Sequence, residues 1–224
     1  MTRYYNLANL LSASRILLTP PILLLLLASW PDGYFLGTWL EGYFVGTWLF
    51  LLAMITDVVD GYLARRGKGS SSLGVFLDLI ADKVLVLAVL VLLAYLGAVP
   101  NWMAIVIVAR EVIVMALRWR AATRGRVIPA AAWGKGKTFT TSIGIAAVIF
   151  GESLQRGTWT QAINWGGWAD FVAISSGPVM AAATLLTVVS GALYVRTALP
   201  IVFGTVRAQA PARQGDRPSG EAVP

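Results

Sequence analysis

DVVDGYLARRGKGSSSLGVFLDLIAD, residues 57–82, sets four aspartates and a Gly-rich basic hinge between two stretches that read as membrane-spanning helices. A carboxylate at the centre of such a helix costs roughly 2.5–3.5 kcal/mol on insertion scales, so four of them demand compensation, and a bound divalent cation is the simplest source. Asp57, Asp60 and Gly61 fall at i, i+3 and i+4; Gly74, Asp78 and Asp82 fall at i, i+4 and i+8. Each trio therefore lines one helical face. If the first helix leaves the membrane near Arg65 and the second enters near Leu73, a rise of about 1.5 Å per residue puts all four carboxylates roughly 8–13 Å deep. Asp78 and Asp82 lie near a positive helix N-terminus, whereas Asp57 and Asp60 lie near a negative C-terminus and need a partner to persist as anions. Hard oxygen ligands in a chain without Cys or His point to Mg²⁺, Mn²⁺ or Ca²⁺ and away from zinc or copper. Four carboxylates suit two ions.

Outward from that hinge, the chain of 224 residues is 57% hydrophobic and 13% charged, with a mean hydropathy of +0.70. That is too apolar for an ordinary soluble globule. The expected fold is an all-α polytopic membrane protein of six transmembrane helices, near 9–29, 42–65, 73–96, 101–122, 136–154 and 178–203, each able to cross a core of about 30 Å. Residues 1–8, with Tyr4 and Tyr5 beside Arg3, suit a short amphipathic segment. One membrane domain is expected over 1–204, followed by a disordered cytoplasmic tail over 205–224, rich in Pro, Ala, Gly and Arg. Of the 18 Lys and Arg residues, 13 fall in the N-terminus, alternate connections and the tail, and only Arg156 falls in the opposite set. The positive-inside rule then puts both termini and the Asp-bearing hinge in the cytoplasm. The expected location is the cell inner (cytoplasmic) membrane, multi-pass, with the active site facing the cytoplasm. A net charge of +7 favours anionic lipid headgroups. Without Cys or His there are no disulfides, no Ser-His-Asp triad and no His-ligated metal, so a general base must be a carboxylate or a lysine. Arg3 followed by the leucine run 23–27 resembles a secretory signal, but Asn9, Ser12 and Arg15 put on the first helix a polar stripe that a disposable segment would not need.

Further features frame the hinge. Pro20 and Pro21 should kink or loosen the first helix. GYFLGTWLE (33–41) is followed directly by GYFVGTWLF (42–50), a local duplication with one copy in a loop and the other opening the second helix. In AREVIVMALRWRAATRGR (109–126), Arg110 and Glu111 should face a cavity or each other, and Arg118 lies two turns past Arg110. Gly134–Thr138, GKGKT, opens a helix with small residues that let backbone donors approach a phosphate. Arg120, Arg124 and Arg126 read as anchors. The connection from 155 to 177 is Trp- and Gly-rich.

Residues 57–82 also match D-x-x-D-G-x-x-A-R-x8-G-x3-D-x3-D at every fixed position: Asp57, Asp60, Gly61, Ala64, Arg65, Gly74, Asp78 and Asp82. The chain resembles the CDP-alcohol phosphotransferase family. That resemblance implies a six-helix membrane enzyme of phospholipid biosynthesis, usually a homodimer, that transfers a phosphatidyl group from a CDP-linked lipid to an alcohol and releases CMP. It implies Mg²⁺ or Mn²⁺, two ions, held by Asp57, Asp60, Asp78 and Asp82, with Asp82 also the general base. Asp57, Asp60, Gly61, Ala64, Arg65, Gly74 and Asp78 would accommodate the nucleotide. NLLSASRI (9–16), AREVIVMALR (109–118) and GKGKT (134–138) narrow the resemblance to phosphatidylglycerophosphate synthases. The substrates implied are CDP-diacylglycerol and glycerol 3-phosphate, in contact with membrane lipids; nucleic acid is not among the expected partners. Arg110, Arg118, Lys135 and Lys137 would bind the acceptor phosphate through charge-assisted hydrogen bonds, with Asn9 and Arg15 near the substrate cavity. Departures from that subgroup fall at Leu79, Met115, Trp119 and Thr141. Inositol 1-phosphate or another polyol phosphate is the alternative acceptor. A cation channel or transporter would explain the acids but not Gly61, Ala64, Arg65 and Gly74 at fixed intervals.

Overall fold

The computed structural model describes the backbone of residues 2–30, 34–35, 40–66, 72–123, 134–157, 163, 165 and 167–203, and the side chains of a narrower set that leaves out, among others, 2–13, 57–82 and 134–139. Six helices make up the described chain: α1 (Thr2–Ala28), α2 (Gly42–Arg66), α3 (Ser72–Tyr95), α4 (Asn101–Thr123), α5 (Gly134–Arg156) and α6 (Trp168–Phe203). A two-residue hairpin, β1 (Tyr34–Phe35) and β2 (Leu40–Glu41), pairs antiparallel with Tyr34 opposite Glu41. It falls in the first copy of the tandem sequence, and the second copy opens α2.

Apolar spacing decides which faces turn inward. On α3, Leu85, Val89 and Leu93 recur at i, i+4 and i+8 with Val86 and Leu90 beside them, and all five are buried. They join Ile22 and Leu26 of α1, Phe50 of α2, Ile107 of α4, Ile145 and Ile149 of α5 and Met180 of α6 in one core. Full burial of each such side chain is worth about 1.5–3 kcal/mol. Helix α1 packs on both α2 and α3, α2 on α5, α5 on α6, and α6 on α4. A smaller apolar cluster of Val114, Tyr194 and Ala198, with Leu117 against it, joins α4 to α6. Three buried threonines donate within their own helices: Thr19 to the Arg15 carbonyl at 2.9 Å, Thr47 to that of Tyr43 at 2.8 Å and Thr184 to that of Met180 at 2.9 Å.

Helix ends follow local chemistry. At the end of α3 the Gly97 amide donates to the Ala94 carbonyl at 3.0 Å and the Ala98 amide to the Leu93 carbonyl at 2.9 Å. This Schellman arrangement needs the positive φ of 79° that Gly97 supplies. Arg156 closes α5 with a 2.6 Å bond from Nε to Glu152, and its guanidinium lies 4.3 Å from the Trp30 ring centroid.

Several expectations change. The segment at 1–8 is not separate: α1 begins at Thr2 and continues through Pro20 and Pro21 to Ala28. The connection after α5 is shorter than expected, because α6 starts at Trp168. The larger correction concerns the membrane. Among the described residues one helix, Trp168–Pro200 with mean hydropathy 1.8, is long and apolar enough to cross a membrane, while Ser14–Ala28, Gly42–Thr56 and Lys83–Tyr95 are shorter apolar stretches. Six transmembrane helices are therefore not found, and the expected multi-pass placement in the inner membrane, with a cytoplasm-facing site, falls with them. On α4 the charges of Arg110, Glu111, Arg118 and Arg120 interrupt the apolar run, while the stretches Ser14–Ala28, Gly42–Thr56 and Lys83–Tyr95 reach to the edge of the described side chains. The expected tail, 205–224, lies outside the described residues.

Candidate active site

Helices α2 and α3 carry the aspartate motif on their backbones. Asp57, Asp60, Gly61, Ala64 and Arg65 lie in the last turns of α2, and Gly74, Asp78 and Asp82 in the first turns of α3. Their side chains lie outside the described residues, as do those of Asn9 in α1 and of Lys135 and Lys137 at the start of α5. Among the described residues no group of three or more Asp, Glu, His or Cys side chains could hold a metal ion; the side chains of the four motif aspartates lie outside that set. As a donor set the motif fits a hard divalent cation, being four carboxylates in a chain that offers neither thiolate nor imidazole.

On α3 the described side chains begin at Lys83. Lys83 Nζ lies 3.1 Å from Glu111 Oε2, and Arg110 Nη1 lies 2.7 Å from Glu111 Oε1. Both carboxylate oxygens of Glu111 are thereby engaged, one by α3 and one by α4. The three side chains are mostly buried, at 11–18% exposure, where such charge-assisted bonds are stronger than at a surface. The expectation that Arg110 and Glu111 face a cavity or each other resolves in favour of the pair.

Arg110 fits because α6 has Gly191 opposite it. A Cβ at position 191 would sit 3.3 Å from Arg110 Nε and 2.7 Å from its Cγ, the latter closer than real side chains approach. Two turns along α4, Arg118 reaches the same helix: its Nε donates to the Tyr194 hydroxyl at 3.3 Å, and its guanidinium carbon lies 5.5 Å from the ring centroid. Tyr194 is buried while Arg118 is exposed. Arg120 lies 5.8 Å from the Phe203 ring centroid, also on α6. On α1, Arg15 is fully buried.

Of the predicted acceptor-binding residues, the described structure thus brings Arg110 and Arg118 onto one α4–α6 seam. It adds three residues that the sequence did not single out as site residues: Lys83, Gly191 and Tyr194. Lys83 carried a signal, a cation directly after the last motif aspartate. Gly191 and Tyr194 had none, since Tyr194 is 76 positions from Arg118.

Comparison with known proteins agrees with the motif. A family model described as CDP-alcohol phosphatidyltransferase matches residues 5–189. A probable phosphatidylglycerophosphate synthase of Mycobacterium tuberculosis (strain ATCC 25618 / H37Rv) is 36% identical over 202 residues, covering 90% of this chain and 86% of the relative. The CDP-diacylglycerol–glycerol-3-phosphate 3-phosphatidyltransferase of Bacillus subtilis is 38% identical over 148 residues, 65% of this chain and 77% of the relative. The protein of the same name from Cereibacter sphaeroides is 30% identical over 181 residues, 77% and 76% of the two chains.

Proposed function

This chain belongs to the CDP-alcohol phosphatidyltransferase family, and from that premise we propose how its own residues divide the labour of the reaction. The enzyme transfers the phosphatidyl group of CDP-diacylglycerol to glycerol 3-phosphate, giving phosphatidylglycerophosphate and CMP. The acceptor hydroxyl oxygen forms a bond to the phosphorus that carries the diacylglycerol, and the bond from that phosphorus to the CMP oxygen breaks. The hydroxyl proton goes to a base.

Asp82 is that base in our reading, because a carboxylate or a lysine must serve in a chain without histidine and the neighbouring Lys83 is held by Glu111. The family generally uses divalent metal ions. Asp57, Asp60, Asp78 and Asp82 would hold Mg²⁺ or Mn²⁺, two ions by the carboxylate count, and bound metal would neutralise charge on the diphosphate. Gly61, Ala64 and Gly74 leave room for the nucleotide, and Arg65 adds a cation beside it. Arg110, Arg118, Lys135 and Lys137 are proposed to receive the acceptor phosphate, with Asn9 and Arg15 bordering the cavity. Holding both reactants in line supplies much of the rate, since little covalent chemistry falls to the protein. The same reading includes a homodimer in contact with membrane lipids, supported for the lipids by the net charge of +7.

The observation that carries this proposal is the complete eight-position motif in a chain whose relatives align along most of its length. Its test is a product assay on the purified full chain with CDP-diacylglycerol, Mg²⁺ or Mn²⁺, and glycerol 3-phosphate, inositol 1-phosphate or serine in turn. The expected result is CMP release and a phosphorylated lipid product with glycerol 3-phosphate above the other two. Faster turnover with inositol 1-phosphate would reassign the acceptor, and turnover with serine alone would remove the phosphate pocket.

A further inference from the structure

Tyr194 lies in the last third of α6 (Trp168–Phe203), on a helix that supplies none of the motif residues. Three positions on that helix face α4 in succession. Gly191 receives Arg110, Tyr194 receives Arg118, and Ala198 packs with Val114. Their spacing of three and four residues puts them on one side of α6. The seam therefore treats the two arginines differently. Arg110 is committed to Glu111 and packed into the space at Gly191, whereas Arg118 is exposed and bonded through Nε alone among the contacts described.

An arginine held at Nε still presents its two outer amino groups as a fork, the geometry that matches a phosphate with two parallel hydrogen bonds. Arg118 on its own would carry the rotamer freedom of a long side chain, which binding would have to freeze. Tyr194 removes part of that freedom beforehand. Its ring is fixed by burial against Val114 and Ala198, and its hydroxyl and π-face meet the guanidinium at 3.3 Å and 5.5 Å. We infer that Tyr194 is a positioning residue for the acceptor phosphate: it aims Arg118 and so sets affinity for glycerol 3-phosphate without touching the substrate. The inference rests on the proposed role of Arg118 as an acceptor-phosphate ligand.

The test is steady-state kinetics on the full-length enzyme, varying glycerol 3-phosphate and CDP-diacylglycerol separately, for the single variants Tyr194→Phe and Arg118→Ala and for the double variant. Phenylalanine keeps the ring and its packing and removes only the hydroxyl. Tyr194→Phe should raise the KM for glycerol 3-phosphate about fivefold, the scale of one partly exposed hydrogen bond to a charged group, and leave the KM for CDP-diacylglycerol unchanged. Arg118→Ala should raise the same KM about tenfold or more, and adding Tyr194→Phe to it should change nothing further. Additive effects, equal effects on both substrates, or an unchanged KM in Tyr194→Phe while Arg118→Ala shows its expected rise would overturn the role of Tyr194 and leave the acceptor site standing. If Arg118→Ala itself leaves the KM for glycerol 3-phosphate unaltered, the acceptor reading fails and the inference fails with it.

Discussion

The aspartate stretch of α2 and α3 and the cationic seam of α4 and α6 are built on opposite plans. In the first, every functional position lies within 26 residues, at helical spacings that place partners on the same face before any tertiary contact forms. In the second, the decisive partners come from distant parts of the chain. Arg118 and Tyr194 are 76 positions apart, and Arg110 depends on the absence of a side chain at Gly191. Chemistry that must be assembled within a turn or two is written in spacing; orientation of a charged side chain by a neighbouring helix is written only in the packing.

The sharpest way to separate the two regions is to remove the proton acceptor. Asp82→Asn should lower turnover about 10²- to 10⁴-fold while CDP-diacylglycerol binding persists, read by CMP release and by equilibrium binding. Near-normal turnover would take the base away from Asp82. The link between the regions is Glu111, which grips Lys83 beside the motif and Arg110 on the seam. Glu111→Gln keeps the shape and removes the charge that Lys83 and Arg110 share. A loss of about 2 kcal/mol, or roughly 4–8 °C in Tm, is expected, and an unchanged Tm would mean that the two regions are not coupled through this carboxylate. On the seam alone, Gly191→Ala forces the Arg110 stem to move and should cost about 1 kcal/mol. Its KM for glycerol 3-phosphate reports whether Arg110 contributes to that pocket. The smallest effect belongs to a site outside both regions: Arg156→Ala loses the Glu152 bond and the Trp30 face, about 0.5–1 kcal/mol, with kcat and both KM values intact.

Much of the helical layout was legible. The segments expected at 42–65, 73–96, 101–122 and 136–154 begin and end within two residues of α2, α3, α4 and α5, because Gly, Pro and charge clusters punctuate those apolar runs. Their reading as six membrane crossings was not sustained. Among the described residues only Trp168–Pro200 is long and apolar enough to cross a membrane, and on α4 the charges at Arg110, Glu111, Arg118 and Arg120 interrupt the run that averaged hydropathy passes over. Family and reaction were legible from eight fixed positions in residues 57–82. Arg110 and Glu111 were recognisable as charges needing company, and they keep company with each other and with Lys83. Tyr194 and Gly191 were not recognisable, since their partners Arg118 and Arg110 lie on another helix more than 70 residues away.

The three-then-four spacing of Gly191, Tyr194 and Ala198 also makes α6 sensitive to phase. Each residue of an α-helix turns the next by about 100°, so inserting one amino acid between Trp168 and Gly191 would swing all three contacts off α4 together. Such an insertion preserves composition, hydropathy and the whole aspartate motif, yet it would unlatch both arginines at once. Length along α6, and not only its chemistry, is thus a quantity that any redesign of this enzyme must keep.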